Sequence, residues 1–113
     1  MKEFPLRISR ECSARCLAAF LGVQTTDGMT WLNIDTGAGG VSLISNDHAK
    51  LFGLDPDKKE QSIDFPIGND VTIGGPAMIA DMIMDGNLGQ PFLSKFVITM
   101  DLKNSRIWFA PSS

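Results

Sequence analysis

Cysteine and histidine are scarce. The 113-residue chain holds two cysteines, Cys12 and Cys16, and one histidine, His48. Two cysteines do not build a disulfide framework, and a lone histidine remote from them gives metal ligation no support. The expectation is therefore two free or semi-buried thiols and no metal, and no cofactor is expected either. A basic excess is also lacking: 10 Lys and Arg against 13 Asp and Glu leave a formal net charge of -3. That is not the electrostatic footprint of a nucleic-acid binder. No apolar stretch approaches membrane-spanning length, and no linker, repeat or low-complexity block interrupts the chain. The N-terminal stretch MKEFPLRISRECSARCLAAFLGV has a basic element and a short apolar run, without the sustained hydrophobic core of an export signal. The reading is one soluble domain over residues 1–113, with neither nucleic acid nor membrane as partner. Its compartment is left open, since a cytoplasmic protein, a mature product and a piece of a longer protein all fit.

What is present is a set of short strand-like segments. Hydrophobic residues make up 43% of the chain, punctuated by 11 glycines and 6 prolines. WLNI, VSLI, SIDFPI, DVTI, FVITM and RIWFA carry the β-branched, aromatic and apolar residues of strands. DGMT and LKNS read as the turns feeding WLNI and RIWFA. ARCLAAFLGVQ has helix-forming Ala, Leu and Arg, yet it leads into a hairpin turn at TTDG, and strand is the favoured reading. SNDHAKLFGL is the best helical segment, with Ser45 or Asn46 as cap and Gly53 near its exit. FLSKF, after Pro91, suits a single helical turn. Gly74-Gly75-Pro76 reads as a turn and not as a phosphate loop, because no Lys-Ser or Lys-Thr follows. Many short strands in one small domain predict an all-β fold, a small closed or nearly closed β-barrel with one or two short helices, since closure removes exposed edges.

The stretch WLNIDTGAGGVSLIS, residues 31–45, interrupts two apolar runs with residues that oppose strand formation. A turn accounts for the glycines. Asp35 directly after the apolar run admits two readings. It is a turn-forming aspartate, or it is a carboxylate held rigidly at a strand end, where Gly37 permits a tight turn and Thr36 offers a hydroxyl to another backbone segment. A single carboxylate accepts a proton from water but cannot also protonate a departing amine. Two carboxylates sharing one proton can do both.

Trp-Leu-Asn-Ile-Asp-Thr-Gly-Ala, residues 31–38, resembles the active-site segment of retroviral-type, or retropepsin-like, aspartic proteases. DGNLGQPFLSKFVITMDLKNSRIWFAP, residues 85–111, is similar to their C-terminal portion, and SLISNDHAKLFGL after the motif also fits. The resemblance implies an acid-protease-type β-barrel that supplies half a catalytic site, because the chain has one Asp-Thr-Gly and is too short for two lobes. It implies an aspartic endopeptidase acting on peptide or protein substrates as a C2 homodimer, with Asp35 and its symmetry mate facing each other. By the same resemblance Thr36 reaches across the dimer axis, Gly37 closes the turn, and Ala38 fills a position taken by Ala or Ser. Leu88 and Gly89 match the apolar-Gly element beneath the active-site loop.

Two features depart from the family pattern. Asn87 stands where the family carries an apolar residue, so its amide must bond the loop or face solvent. The family also covers its substrate with a glycine-tipped hairpin, and LDPDKKEQ offers only a charged loop there. IGNDVTIGG looks instead like the strand pair that follows such a lid. A poorly lidded enzyme is weak, and a non-catalytic module of the same fold, used for dimerisation or peptide binding, is the alternative. Elsewhere, His48 is expected on the surface, Trp31 and Trp108 in the core or at a dimer interface, and Met78, Met82, Met84 and Met100 in the core. Asp101 reads as a turn residue, and neither Asp81 nor Asp85 has a reason to pair with Asp35.

Overall fold

The computed structural model describes residues 3–9, 18–35, 40–68 and 70–111. Its nine strands, in chain order, are β1 Glu3–Ser9, β2 Ala18–Thr25, β3 Gly28–Ile34, β4 Ser42–Ser45, β5 Glu60–Pro66, β6 Thr72–Ala80, β7 Gly86–Leu88, β8 Phe96–Asp101 and β9 Arg106–Pro111. One 3₁₀ turn, Ala49–Phe52, and one short helix, α1 Gln90–Leu93, complete the described elements. The strands form a single sheet in the order β5-β6-β4-β7-β3-β2-β1-β9-β8. The fold is all-β, as the segment pattern predicts. The barrel is not closed: β5 and β8 lie at opposite ends of the sheet order and do not pair.

Helix α1 packs between the edge strand β8 and strand β6. Phe92 is fully buried, with its ring 5.2 Å from Phe96 and 5.5 Å from Phe109, centroid to centroid. Phe109 in turn meets Phe4 of β1 at 5.8 Å. On the other side α1 touches β6, where a Cβ added to Gly75 would lie 3.0 Å from the Pro91 Cβ. Gly75 also has φ 104, a backbone region that side chains rarely adopt. The Gly74-Gly75-Pro76 stretch is therefore not a turn but an interior part of β6. It is tolerated because β4 pairs β6 only from Ala77 onward, leaving Pro76 without a second ladder to serve.

Alternation drives the rest of the core. Leu21 and Val23 of β2, Leu32 of β3, Ile44 of β4, Ile73, Ala77 and Ile79 of β6, Leu88 of β7 and Ile107 and Phe109 of β9 are all buried. The described part of ARCLAAFLGVQ is strand β2, joined to β3 by a two-residue hairpin at Thr26-Asp27. SNDHAKLFGL gives only the 3₁₀ turn, ended by Gly53 at φ 73; three polar residues lead into a segment too short to propagate a helix. None of the four methionines expected inside belongs to the buried core, and Met84 and Met100 are exposed. Both Trp31 and Trp108 are half-buried. Cys12 and Cys16 lie outside the described residues.

Candidate active site

The centre of the sheet joins segments far apart in sequence. β3 runs parallel to β7 with Leu32, Asn33 and Ile34 opposite Gly86, Asn87 and Leu88. β7 then pairs antiparallel with β4, and β4 parallel with β6. Gly86 is required at this crossing, since an added Cβ would lie 2.7 Å from Leu32 Cδ2 and 3.0 Å from the Leu43 carbonyl oxygen.

Asp35 is the first residue beyond β3, and its N–H donates to the Leu88 carbonyl at 3.0 Å. That bond closes the Ile34–Leu88 pair at the end of the β3–β7 ladder, so the Asp35 backbone is held as a strand residue's would be. Gly89 is buried, and its N–H donates to the Ser42 hydroxyl at 3.0 Å. This fastens the start of α1 to β4. Leu88 thus meets the Asp35 backbone, and Gly89 meets Ser42 of β4. Thr36, Gly37 and Ala38 lie outside the described residues.

Strand alternation puts Asn33 and Asp35 on one face. The parallel register sets Asn87 beside Asn33 on that same face. Asn33 Nδ2 donates to Asn87 Oδ1 at 2.6 Å, and Asn87 Nδ2 donates to Asp35 Oδ2 at 3.1 Å. The amide that departs from the family pattern therefore has partners on both sides, and one of them is the candidate carboxylate. Asn33 gave no sign of this role in the sequence. Only the period of two could have linked it to Asp35, and nothing local foretells the Asn33–Asn87 register.

The row of cross-strand neighbours through these amides runs Arg7, Phe20, Asn33, Asn87, Leu43, Met78 and Glu60. Facing residues in a ladder share a side of the sheet, so this row crosses the face opposite Leu21, Leu32 and Ile44. A cleft of about 240 Å³ opens at each flank, one lined by Arg7, Ser9, Phe20 and Trp31, the other by Gly40, Val41, Glu60, Met78 and neighbours. At the first cleft the Arg7 guanidinium stacks 4.1 Å from the Trp31 ring centre.

A second polar cluster joins the end of β4, the turn after it and the residue before β7. His48 is half-buried and not a free surface residue. Its Nδ1 is 2.7 Å from the buried Ser45 hydroxyl, and its Nε2 faces Asp85. The other Asp85 oxygen accepts the Trp31 N–H. Among the described residues no group of three His, Cys, Asp or Glu gathers as a metal site, and no helix is long and apolar enough to cross a membrane.

The segment between the 3₁₀ turn and β5 contains no hairpin. Lys58 N–H donates to the Asp55 carbonyl, and Gln61 Nε2 bonds the carbonyls of Asp55 and Lys58 at 2.8 and 2.7 Å. Asp57 N–H also bonds the Asp55 carboxylate at 2.9 Å. These bonds close residues 55–58 into a compact knot.

Among solved structures, the chain is similar to a retropepsin-like aspartic protease from Rickettsia conorii, with a TM-score of 0.57 and 15% identity, covering 94% of this chain and 91% of that one. The fold is retropepsin-like. No family profile matches the sequence, and no curated protein matches it. At 15% identity the likeness is one of architecture, and the chemistry has to be argued from Asp35 and its surroundings.

Proposed function

We propose that the chain is a retropepsin-like aspartic endopeptidase that works as a homodimer, each subunit contributing Asp35. The observation that carries this reading is the fixation of Asp35 at the end of β3, with its N–H on the Leu88 carbonyl and its carboxylate on the Asn87 amide. A turn-forming aspartate requires neither bond from a strand fifty residues away in sequence.

In the proposed reaction an ionised Asp35 takes a proton from water as the oxygen attacks the peptide carbonyl. The partner subunit's Asp35, protonated, donates to the carbonyl oxygen and stabilises the developing charge. The tetrahedral intermediate collapses when the leaving nitrogen receives a proton from the carboxyl that took it from water. The pair is then ready to exchange roles. Two such groups at short range do not both ionise, so one shared proton is the natural state of the pair. Leu88, Gly89, Thr36, Gly37 and Ala38 serve as the support of the loop that presents Asp35, and no cofactor or metal is called for.

A second reading, a non-catalytic module of the same fold used for dimerisation or peptide binding, is favoured by the compact knot at residues 55–58. A covering hairpin there would exclude water and clamp the substrate. Cleavage of a peptide library separates the two. The enzyme gives cleavage that disappears in Asp35→Asn, whereas the module binds peptides without cleaving them. Cleavage persisting at the wild-type rate in Asp35→Asn overturns the mechanism.

A further inference from the structure

We propose that Asn33 and Asn87 form an amide relay that sets the orientation of the Asp35 carboxylate, making both of them positioning residues. The inference takes its catalytic meaning from the endopeptidase reading above, and it assigns a purpose to the residue that departs most clearly from the family pattern.

Asn87 is 6% exposed, and a buried amide needs partners for both its ends. Its oxygen receives the Asn33 N–H and its nitrogen gives one to Asp35 Oδ2. Those two bonds admit a single orientation of the amide. Turned over, its oxygen would face a carboxylate and its NH₂ group would face the NH₂ of Asn33, with repulsion at each end. The acceptor-only Asp35 carboxylate therefore sets which way the Asn87 amide points, the Asn33 NH₂ locks that orientation from the other end, and Asn87 fixes which oxygen of Asp35 is engaged from the sheet side. The other oxygen's direction is fixed with it, because the carboxylate is planar. A carboxylate that must accept a proton from a water in one geometry gains from such restraint.

The backbone contributes to the same end. Asn33 and Asn87 face each other in the parallel β3–β7 register, and the next pair, Ile34–Leu88, is closed by the Asp35 N–H on the Leu88 carbonyl. The amides and the carboxylate thus stand on adjacent steps of one ladder. An apolar side chain at position 87 would fill the space and leave the carboxylate oriented by its remaining contacts only.

The test uses the full chain and reads both the bond and the chemistry. The side-chain NH₂ resonance of Asn87, followed in ¹⁵N–¹H spectra, is expected to move upfield in Asp35→Leu, where its acceptor is gone. An unmoved resonance overturns the relay whatever the activity. In peptide cleavage, Asn87→Leu is expected to lower kcat about tenfold or more with KM little changed, the mark of an interaction that matters in the transition state. Asn33→Asp, which cannot donate to Asn87 and turns its amide over, is expected to lower kcat by a similar factor. Placed on the Asn87→Leu background, Asn33→Asp is expected to add little, because the amide it acts through is absent. Full additivity in that cycle, or wild-type kcat in a folded Asn87→Leu protein, overturns the proposal. A wild-type chain that binds peptide without cleaving it overturns the endopeptidase reading instead, and the relay's catalytic meaning with it; the resonance shift distinguishes that outcome from a missing bond.

Discussion

His48 Nε2 stands 3.3 Å from Asp85 Oδ1, and the other oxygen of the same carboxylate accepts the Trp31 N–H at 3.1 Å. Trp31 lies one residue before the Leu32–Gly86 pair that opens the β3–β7 ladder. The Asp85 side chain thus stands in for the ladder partner that Trp31 lacks on that side. The Asp85 carbonyl also accepts the Ser45 N–H, so a single residue fastens β3, β4 and the turn carrying His48.

Asp85→Ala is accordingly expected to cost about 1–3 kcal/mol of stability, mostly from the stranded Trp31 N–H. The His48 contact, roughly a quarter to a third exposed on both sides, adds little. Urea denaturation checks this as a lower midpoint at constant slope. Asp85→Asn retains an oxygen for Trp31 and is expected to lose less. Equal losses in the two variants would contradict the assignment.

Gly86→Ala places a methyl group 2.7 Å from Leu32 Cδ2, closer than real Cβ contacts come, and 3.0 Å from the Leu43 carbonyl oxygen, a tight contact. The carbonyl belongs to a ladder and cannot swing away, so overpacking is expected to cost about 1–3 kcal/mol. A thermal melt lowered by several degrees is the readout.

Asp101 ends β8 and caps the turn to β9. Its carboxylate accepts the Asn104 N–H at 3.2 Å and the Asn104 Nδ2 at 2.8 Å. Those bonds, the side-chain one foremost, hold its pKa below the ordinary carboxylate value. A lowered folded-state pKa means that the associated stability is present above the unfolded value and is lost as pH falls through the folded one. NMR titration is expected to show Asp101 ionising at lower pH than a model aspartate. Asn104→Ala is expected to bring it back up.

Sedimentation equilibrium over about a hundredfold range of concentration tests the two-subunit site. A reversible dimer is expected, with its population rising by mass action. A strict monomer at every concentration would leave each chain with a single Asp35 and remove the mechanism.

Much of this architecture was legible because burial and strand alternation act locally. WLNI, VSLI, SIDFPI and RIWFA are strands whose apolar residues alternate or run through the core. Asp35 was legible as a candidate since a carboxylate directly after an apolar strand is conspicuous. β7 is not legible as a strand. Gly-Asn-Leu has little strand propensity, and its conformation comes from lying between β3 and β4. β1 was likewise hidden in a stretch read only for its charge and apolarity. The ties of Asn87 to Asp35 and of His48 to Asp85 depend on registers set by the whole sheet. The methionines misled because Met84 belongs to an exposed loop and Met100 to the outer strand β8.

The Asn87–Asp35 bond spans 52 positions of sequence. Contacts of that range form late, after shorter loops have closed and repaid their entropy. Until β7 slots between β3 and β4, the aspartate has neither its carbonyl partner nor its amide. A nascent or half-folded copy consequently lacks the two bonds that tie Asp35 to β7. Those two restraints on Asp35 come into being only when β7 takes its place in the sheet.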